Sequence, residues 1–289
     1  MRIIVTGGAG NIGHHLCRHL VQNGHYVTSI DIQECQEPGV CSKIANLLEP
    51  TNLPEIMKGH DLVVHLANWP TARNVGDQRV LSENTLMTFN VFNAVASAGV
   101  GRVIHCSSES AMGFGHMPKG YKPIPKYFPI DEEHPCTPNE AYSYSKLFGE
   151  IMAKGFNRQY GIKFIVLRYQ WVMTDRGLEG FKQTVMPLIQ QGRAEQDPRL
   201  LFSPYLSVDD FCEAVAAFAL HDEVEYEIFL VCGPTTYFSK PTLDIIYERY
   251  GQDVIIRKPY IYEKEPYASF FDCSKMQEVV GFSPRRRWE

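Results

Sequence analysis

The chain has 289 residues, 44% hydrophobic and 21% charged, which is ordinary for a globular protein and enough for one large α/β domain with an appendage. Its net charge of −5, with no basic block longer than Arg285–Arg287, excludes a general nucleic-acid surface. No apolar run reaches the roughly 18–20 residues of a membrane span, and the opening MRIIVTGG passes straight into a strand pattern, so no membrane partner and a cytoplasmic location are expected.

RIIVT at the start is too uniformly apolar for a half-exposed strand and suits a sheet covered on both faces. The glycine-rich TGGAGNIG follows, then a helix stopped by Asn23-Gly24, then a second strand, YVTSI, ending at Asp31. DLVVHLA (61–67) reads as a buried strand, NTLMTFNVFNAVASAG (84–99) as a helix closed by Gly99, and GRVIHCSS (101–108) as the next strand. Residues 113–138 carry six prolines and predict a long irregular loop of the lid or binding type. A long helix from NEAYSYSK, the strand KFIVLRY, the helix VDDFCEAVAAFALH and the strand EIFLVCG complete the pattern. Strands alternating with helices predict a parallel sheet with right-handed crossovers. A dinucleotide domain over 1–173, completed by about 207–235, and a small lobe from 174–206 and 236–289 are expected. The eight cysteines show no C-x-x-C, and His15 and His19 lack a third ligand, so reduced thiols and no metal are expected.

Gly7, Gly10 and Gly13 recur at intervals of three between a strand and a helix. This spacing permits a tight turn, close approach of a pyrophosphate and close helix packing. Exposed N–H groups at the helix start, those of Asn11 and Ile12, then meet the phosphates. Asp31 at the end of the next strand can accept hydrogen bonds from ribose hydroxyls and would repel a 2′-phosphate, which favours NAD over NADP. In the NEAYSYSK helix, Tyr142 and Lys146 stand four apart and share a face, whereas Tyr144 points away. A neighbouring ammonium favours phenolate and suits Tyr142 to acid–base work.

With these residues in place the chain resembles the extended short-chain dehydrogenase/reductase family, in its epimerase/dehydratase branch. TGGAGNIG, DLVVHLAN, NTLMTFNVFNAV, CSSESAMG, YSYSK, LSVDDFCEAV and CSKMQEVVGFSP are similar, in order, to that family's motifs. The resemblance implies a Rossmann-type doubly wound parallel sheet with a small C-terminal substrate-binding lobe. It implies Ser108, Tyr142 and Lys146 as the catalytic set, with Lys146 lowering the phenol's pKa and holding the nicotinamide ribose. Asn46, Leu47, Leu66, Ala67 and Asn84 take the family's remaining cofactor-side positions, and Glu109 and Ser110 its substrate side. Arg73 and Arg176 are candidate partners for a substrate anion. Asn46 replaces a frequent aspartate, Met112 a frequent tyrosine, and LRYQWVM departs from the usual LRxxxVYG. Dehydration is disfavoured because Ser110 occupies the place of the second acid. A small sugar, sugar acid or sugar phosphate is the expected substrate, as in compact uronate dehydrogenases. Nucleotide-sugar epimerisation is the alternative, and a non-catalytic dinucleotide-binding regulator the second. The resemblance also implies a homodimer formed through the helices at 84–99 and 139–160.

Overall fold

The computed structural model describes residues 1–49, 52–72, 75–115, 121–202 and 205–287. β1 (Arg2–Thr6) leads through the glycine turn into α1 (Gly13–Gln22) and β2 (Tyr26–Asp31), which β3 (Val40–Ile44) extends. α2 (Leu53–Met57), β4 (Leu62–His65), α3 (Asp77–Ala98) and β5 (Arg102–Cys106) follow, then α4 (Ala141–Tyr160) and β6 (Lys163–Tyr169). Beyond β6 come β7 (Trp171–Met173), three short helices, α5 (Asp175–Thr184), α6 (Met186–Gln190) and α7 (Pro198–Leu201), and β8 (Tyr205–Ser207). α8 (Val208–Leu220) and β9 (Tyr226–Val231) return to the main sheet before α9 (Thr242–Tyr250), α10 (Pro259–Lys264) and α11 (Ser274–Val280).

Seven parallel strands form one sheet in the order β3-β2-β1-β4-β5-β6-β9, a doubly wound α/β arrangement. The central strands are buried on both faces, which is why they read as unbroken apolar runs. One face packs Leu16, Leu20, Phe211, Val215 and Phe218 of α1 and α8. The other packs Phe92 and Val95 of α3 with Ala153 and Phe156 of α4. Strand order reverses between β1 and β4, so a crevice at their carboxyl ends is the expected ligand site.

Three elements depart from the sequence reading. β3 went unread because it is an edge strand with mostly exposed side chains and no apolar run. α3 begins seven residues before the NTLM motif, at Asp77. The proline-rich stretch, in its described part from 121, is not a free lid. Phe128 and Ile130 are fully buried and bridge to Ile256 and Phe271 within a second apolar core that includes Phe181, Phe202, Phe238 and Phe270.

Candidate active site

The turn after β1 is shaped by atoms that leave no room for a side chain. Gly7 has φ +74° and its N–H donates to the Ile30 carbonyl at 2.8 Å. A Cβ on Gly13 would stand 2.0 Å from the Gly7 oxygen, and one on Gly7 2.8 Å from the Ala67 backbone. Gly10 and Asn11 are exposed and Ile12 half-buried. α1 starts with no side-chain cap and no acidic residue in its first turn, so its positive end is open to an anion. Asn11 donates through Nδ2 to Thr174 Oγ1 at 2.9 Å, which fastens the turn to the start of α5. Asp31 accepts from the Ala9 N–H at 3.0 Å and the Gln33 N–H at 3.2 Å, and this aims its carboxylate over the turn. This donor-rich, uncapped cradle beside a fixed carboxylate fits the pyrophosphate and ribose of a dinucleotide.

Other cofactor-side candidates divide into surface and support. Asn46 is exposed, with its own Oδ1 accepting from the Leu48 N–H at 3.1 Å. Leu47 is buried, and its carbonyl accepts from Asn90. The Leu66 and Ala67 N–H groups donate to Thr6 Oγ1, which pins the chain leaving β4 against β1. Asn84 is buried with its amide clamped on both backbone groups of Trp69 and on Ser145. Its influence on a cofactor therefore passes through the loop after β4.

α4 supplies the reactive pair. Its first turn is held by a capping box in which Glu140 accepts from the Tyr142 and Ser143 N–H groups, so Tyr142 enters the helix in a fixed orientation. Ser108 follows β5 and heads a short 3-10 turn, Glu109–Met112, in which the Ser110 N–H donates to Ser108 Oγ at 3.1 Å. The structure brings Ser108, Tyr142 and Lys146 together, at 5%, 6% and 5% exposure. The Ser108 hydroxyl is near enough to the Tyr142 phenol to favour its anion. Lys146 Nζ lies 5.4 Å from the Tyr142 ring centre and donates to the Cys106 carbonyl at 2.7 Å. Tyr144, by contrast, is 40% exposed.

Burial sets the electrostatics. It pushes the Lys146 ammonium down to about 8, because a charge taken from water is disfavoured. The Tyr142 phenol is pushed above its ordinary range by burial first and by the Glu109 carboxyl second, against the opposing hydroxyl of Ser108. Burial, the largest of these causes, sets the direction of the phenol's shift in the free protein. Glu109 itself is buried, pushed up to about 8 by desolvation, and accepts from Ser108 Oγ at 2.9 Å. Ser110 is fully buried beside it.

Arg176 is exposed in the first turn of α5, two residues beyond Thr174, and Arg73 lies outside the described residues. Two cavities, of about 400 and 230 Å³, sit at Lys240–Gln252 and around Thr235, Glu265 and Arg287; neither is lined by Ser108, Tyr142 or Lys146. Sequence reasoning missed a buried support behind the site. Glu150, one turn beyond Lys146, receives Arg168 Nη2 at 2.7 Å and Nε at 3.0 Å, and Ser107 Oγ at 2.6 Å. Its one visible signal was an arginine inside the apolar strand KFIVLRY.

The chain is 31% identical over 178 residues to an L-arabinose 1-dehydrogenase (NAD(P)(+)) of Haloferax volcanii, covering 60% of this chain and 68% of that one. A uronate dehydrogenase of Pseudomonas syringae pv. tomato is 29% identical over 171 residues, 58% of each chain, so this match spans little more than half of that relative. Among solved structures, a UDP-glucose 4-epimerase of Thermotoga maritima superposes with a TM-score of 0.71 at 21% identity, over 99% of this chain and 94% of the other. The chain therefore shares the fold of that epimerase. The NAD dependent epimerase/dehydratase family model matches residues 3–232 of the 289; the chain belongs to that family, and its cofactor is NAD.

Proposed function

We propose that this protein is an NAD-dependent dehydrogenase of a small sugar, sugar acid or sugar phosphate. The observation that carries the reading is the buried cluster of Ser108, Tyr142 and Lys146, with the Lys146 ammonium 5.4 Å from the phenol ring centre, on the same sheet edge as the glycine turn. The L-arabinose and uronate dehydrogenases among its relatives support the substrate class. Gly7, Gly10, Asn11, Ile12 and Gly13 would hold the cofactor's phosphates and Asp31 its ribose. When bound, the cofactor supplies a hydride acceptor for the substrate's carbinol carbon. Tyr142 moves the proton at the substrate hydroxyl, and Ser108 donates a hydrogen bond to the same oxygen as it becomes a carbonyl. Lys146 holds positive charge under the ring and orients the nicotinamide ribose.

Screening sugars, sugar acids and sugar phosphates with NAD for NADH absorbance, with product analysis in parallel, tests this reading. NADH formed with an oxidised product is the expected result. An epimer without net NADH would replace the dehydrogenase by an epimerase, and no turnover of any sugar would sink both.

The protein is further proposed to act as a homodimer. Leu86 and Phe89 on α3, with Tyr144, Phe148 and Ile151 on α4, are 39–60% exposed, and their i, i+3, i+4 and i+7 spacings line up one apolar face on each helix. A second copy burying this face would form a four-helix bundle, the isologous contact of a two-fold dimer. Light scattering should give a dimer at micromolar concentration, and Phe89→Glu with Ile151→Glu should give a monomer. A monomeric unmodified protein would refute the dimer.

A further inference from the structure

Gln170 lies inside LRYQWVM, a stretch that departs from the family pattern and that the chemistry above does not use. It directly follows β6, and its N–H still donates to the Val231 carbonyl at 3.3 Å, so the backbone keeps the ladder. Side chains alternate across a strand. Tyr169 faces α8, its ring against Phe211, whereas Arg168 faces α4 and binds Glu150. Gln170 therefore returns to the α4 face, beyond Arg168 toward the carboxyl edge of the sheet. At that edge Ser108 leaves β5 and Tyr142 opens α4. Gln170 is 1% exposed, yet among the described residues neither Nε2 nor Oε1 of its amide has a hydrogen-bond partner. Buried amides are nearly always paired within the fold, so this one is fitted to a partner from outside it. Two more unpartnered buried atoms belong to the same edge. They are Ser110 Oγ, in the turn that Ser108 heads, and Asn139 Oδ1, just ahead of α4. The Asn139 amide nitrogen is already used, donating to the Gly113 carbonyl at 3.3 Å.

We propose that Gln170, with Ser110 and Asn139, reads the hydroxyls of an uncharged sugar, so that the substrate is a neutral sugar and neither a sugar acid nor a sugar phosphate. This narrows the substrate class of the dehydrogenase reading and rests on that reading. A sugar hydroxyl both donates and accepts. It can take a bond from the Gln170 amide nitrogen or the Ser110 hydroxyl, and give one to the Gln170 or Asn139 amide oxygen. A carboxylate or a phosphate dianion only accepts, and would leave both amide oxygens unpaired and facing an anion. Charge points the same way. Among the described residues Lys146 and Arg168 are the buried cations, and both are engaged. Arg168 holds Glu150, the Glu132 carbonyl and Cys136 Sγ, and Lys146 donates to the Cys106 carbonyl. Arg176 is exposed, and its neighbour Thr174 is tied to Asn11 of the glycine turn, at the cofactor's phosphate end. A substrate anion beside Ser108 would instead meet the buried Glu109 carboxyl, which accepts from Ser108 Oγ at 2.9 Å. A buried charge without a partner is strongly disfavoured.

The test is equilibrium binding, read by calorimetry on NAD-loaded Tyr142→Phe, which holds a sugar without turning it over. The probes are aldopentoses and aldohexoses, the matching uronic acids, and the matching aldose phosphates. A neutral sugar should bind about tenfold tighter, or more, than the acid or phosphate of the same configuration, the scale of a stranded buried polar group. Adding Gln170→Leu should weaken the neutral sugar by about tenfold to a hundredfold, the scale of two lost hydrogen bonds, with NAD affinity unchanged. An amide that served only the core would behave otherwise: leucine would raise the melting temperature and leave sugar affinity alone. That result, an acid or phosphate that binds as tightly as the neutral sugar, or no binding by any probe overturns the proposal. The comparison of probe classes needs no change at residue 170, so it decides the matter even if the leucine variant misfolds. Binding and turnover are separate readouts. NADH formed from a sugar acid in preference to neutral sugars sinks this proposal and keeps the dehydrogenase. Selective binding of a neutral sugar, with no NADH from the unmodified enzyme, keeps the proposal and sinks the dehydrogenase.

Discussion

Tyr142→Phe should lower kcat by about 10²–10⁴-fold, the usual contribution of a positioned acid–base group, while NAD affinity stays nearly unchanged. The ring sits at 6% exposure against Val80 and Ala141, with Trp69, Ala72, Val75 and Leu81 around them. Phenylalanine keeps that packing and removes only the oxygen. Ser108 then retains its bonds to Glu109 and to the Ser110 N–H, so the turn that carries it does not collapse. Steady-state kinetics should therefore show the loss in kcat rather than in KM, because a group that acts on the reacting proton is used in the transition state. Tyr144→Phe, two residues away and 40% exposed, should leave turnover within twofold of the unmodified enzyme on the usual scale of surface changes. Lys146→Met should harm both kcat and cofactor binding. Equal losses in the two phenylalanine variants, or full activity in Tyr142→Phe, would remove Tyr142 from the mechanism.

The parts of this site that follow from spacing were readable in the chain. Three glycines between a strand and a helix admit few backbone paths, and the clashes that a Cβ would meet at Gly7 and Gly13 show why. Likewise, the spacing of four from Tyr142 to Lys146 determines a shared helix face whatever the surroundings. Depth is a different quantity. How far a helix face sinks below the surface depends on what packs over it, and that depth decides the sign of the Tyr142 shift. Asn84 illustrates the same gap: its place in a motif is legible, but its clamp on the Trp69 backbone depends on a loop fifteen residues away. Edge strand β3 and the short β7–β8 pair carry too little apolar pattern to announce themselves, since their ladders are set by neighbours. Prolines in 121–138 correctly signalled irregular backbone. They carried no sign that Phe128 and Ile130 between them would be core residues of the second lobe.

Arg168→Met should destabilise the fold by about 3–5 kcal/mol, because it strands a carboxylate away from water. Arg168 and Glu150 are both buried, at 3% exposure, and their bonds are two-pronged, with Nη2 and Nε reaching the two carboxylate oxygens. The guanidinium also donates to the Glu132 carbonyl at 3.1 Å and to Cys136 Sγ at 3.3 Å, so it joins α4, β6 and the segment before α4. Methionine fills much of the volume but satisfies none of these acceptors, and Ser107 Oγ alone remains on Glu150. A melting temperature lower by on the order of 10 °C is expected for a chain of this size. Replacing both partners, as Arg168→Met with Glu150→Leu, removes the stranded charge and should recover most of the loss, since a buried ion pair contributes little net stability over an apolar pair of similar volume. The two outcomes separate the cost of breaking the pair from the worth of having it. Glu150 sits one turn beyond Lys146, so the single variant should also loosen the register of α4 and reduce kcat, whereas the double variant should restore the thermal midpoint more fully than the rate. If Arg168→Met melts within about 2 °C of the unmodified protein, the pair does not hold α4 against β6, and the alignment of Tyr142 must come from its capping box alone.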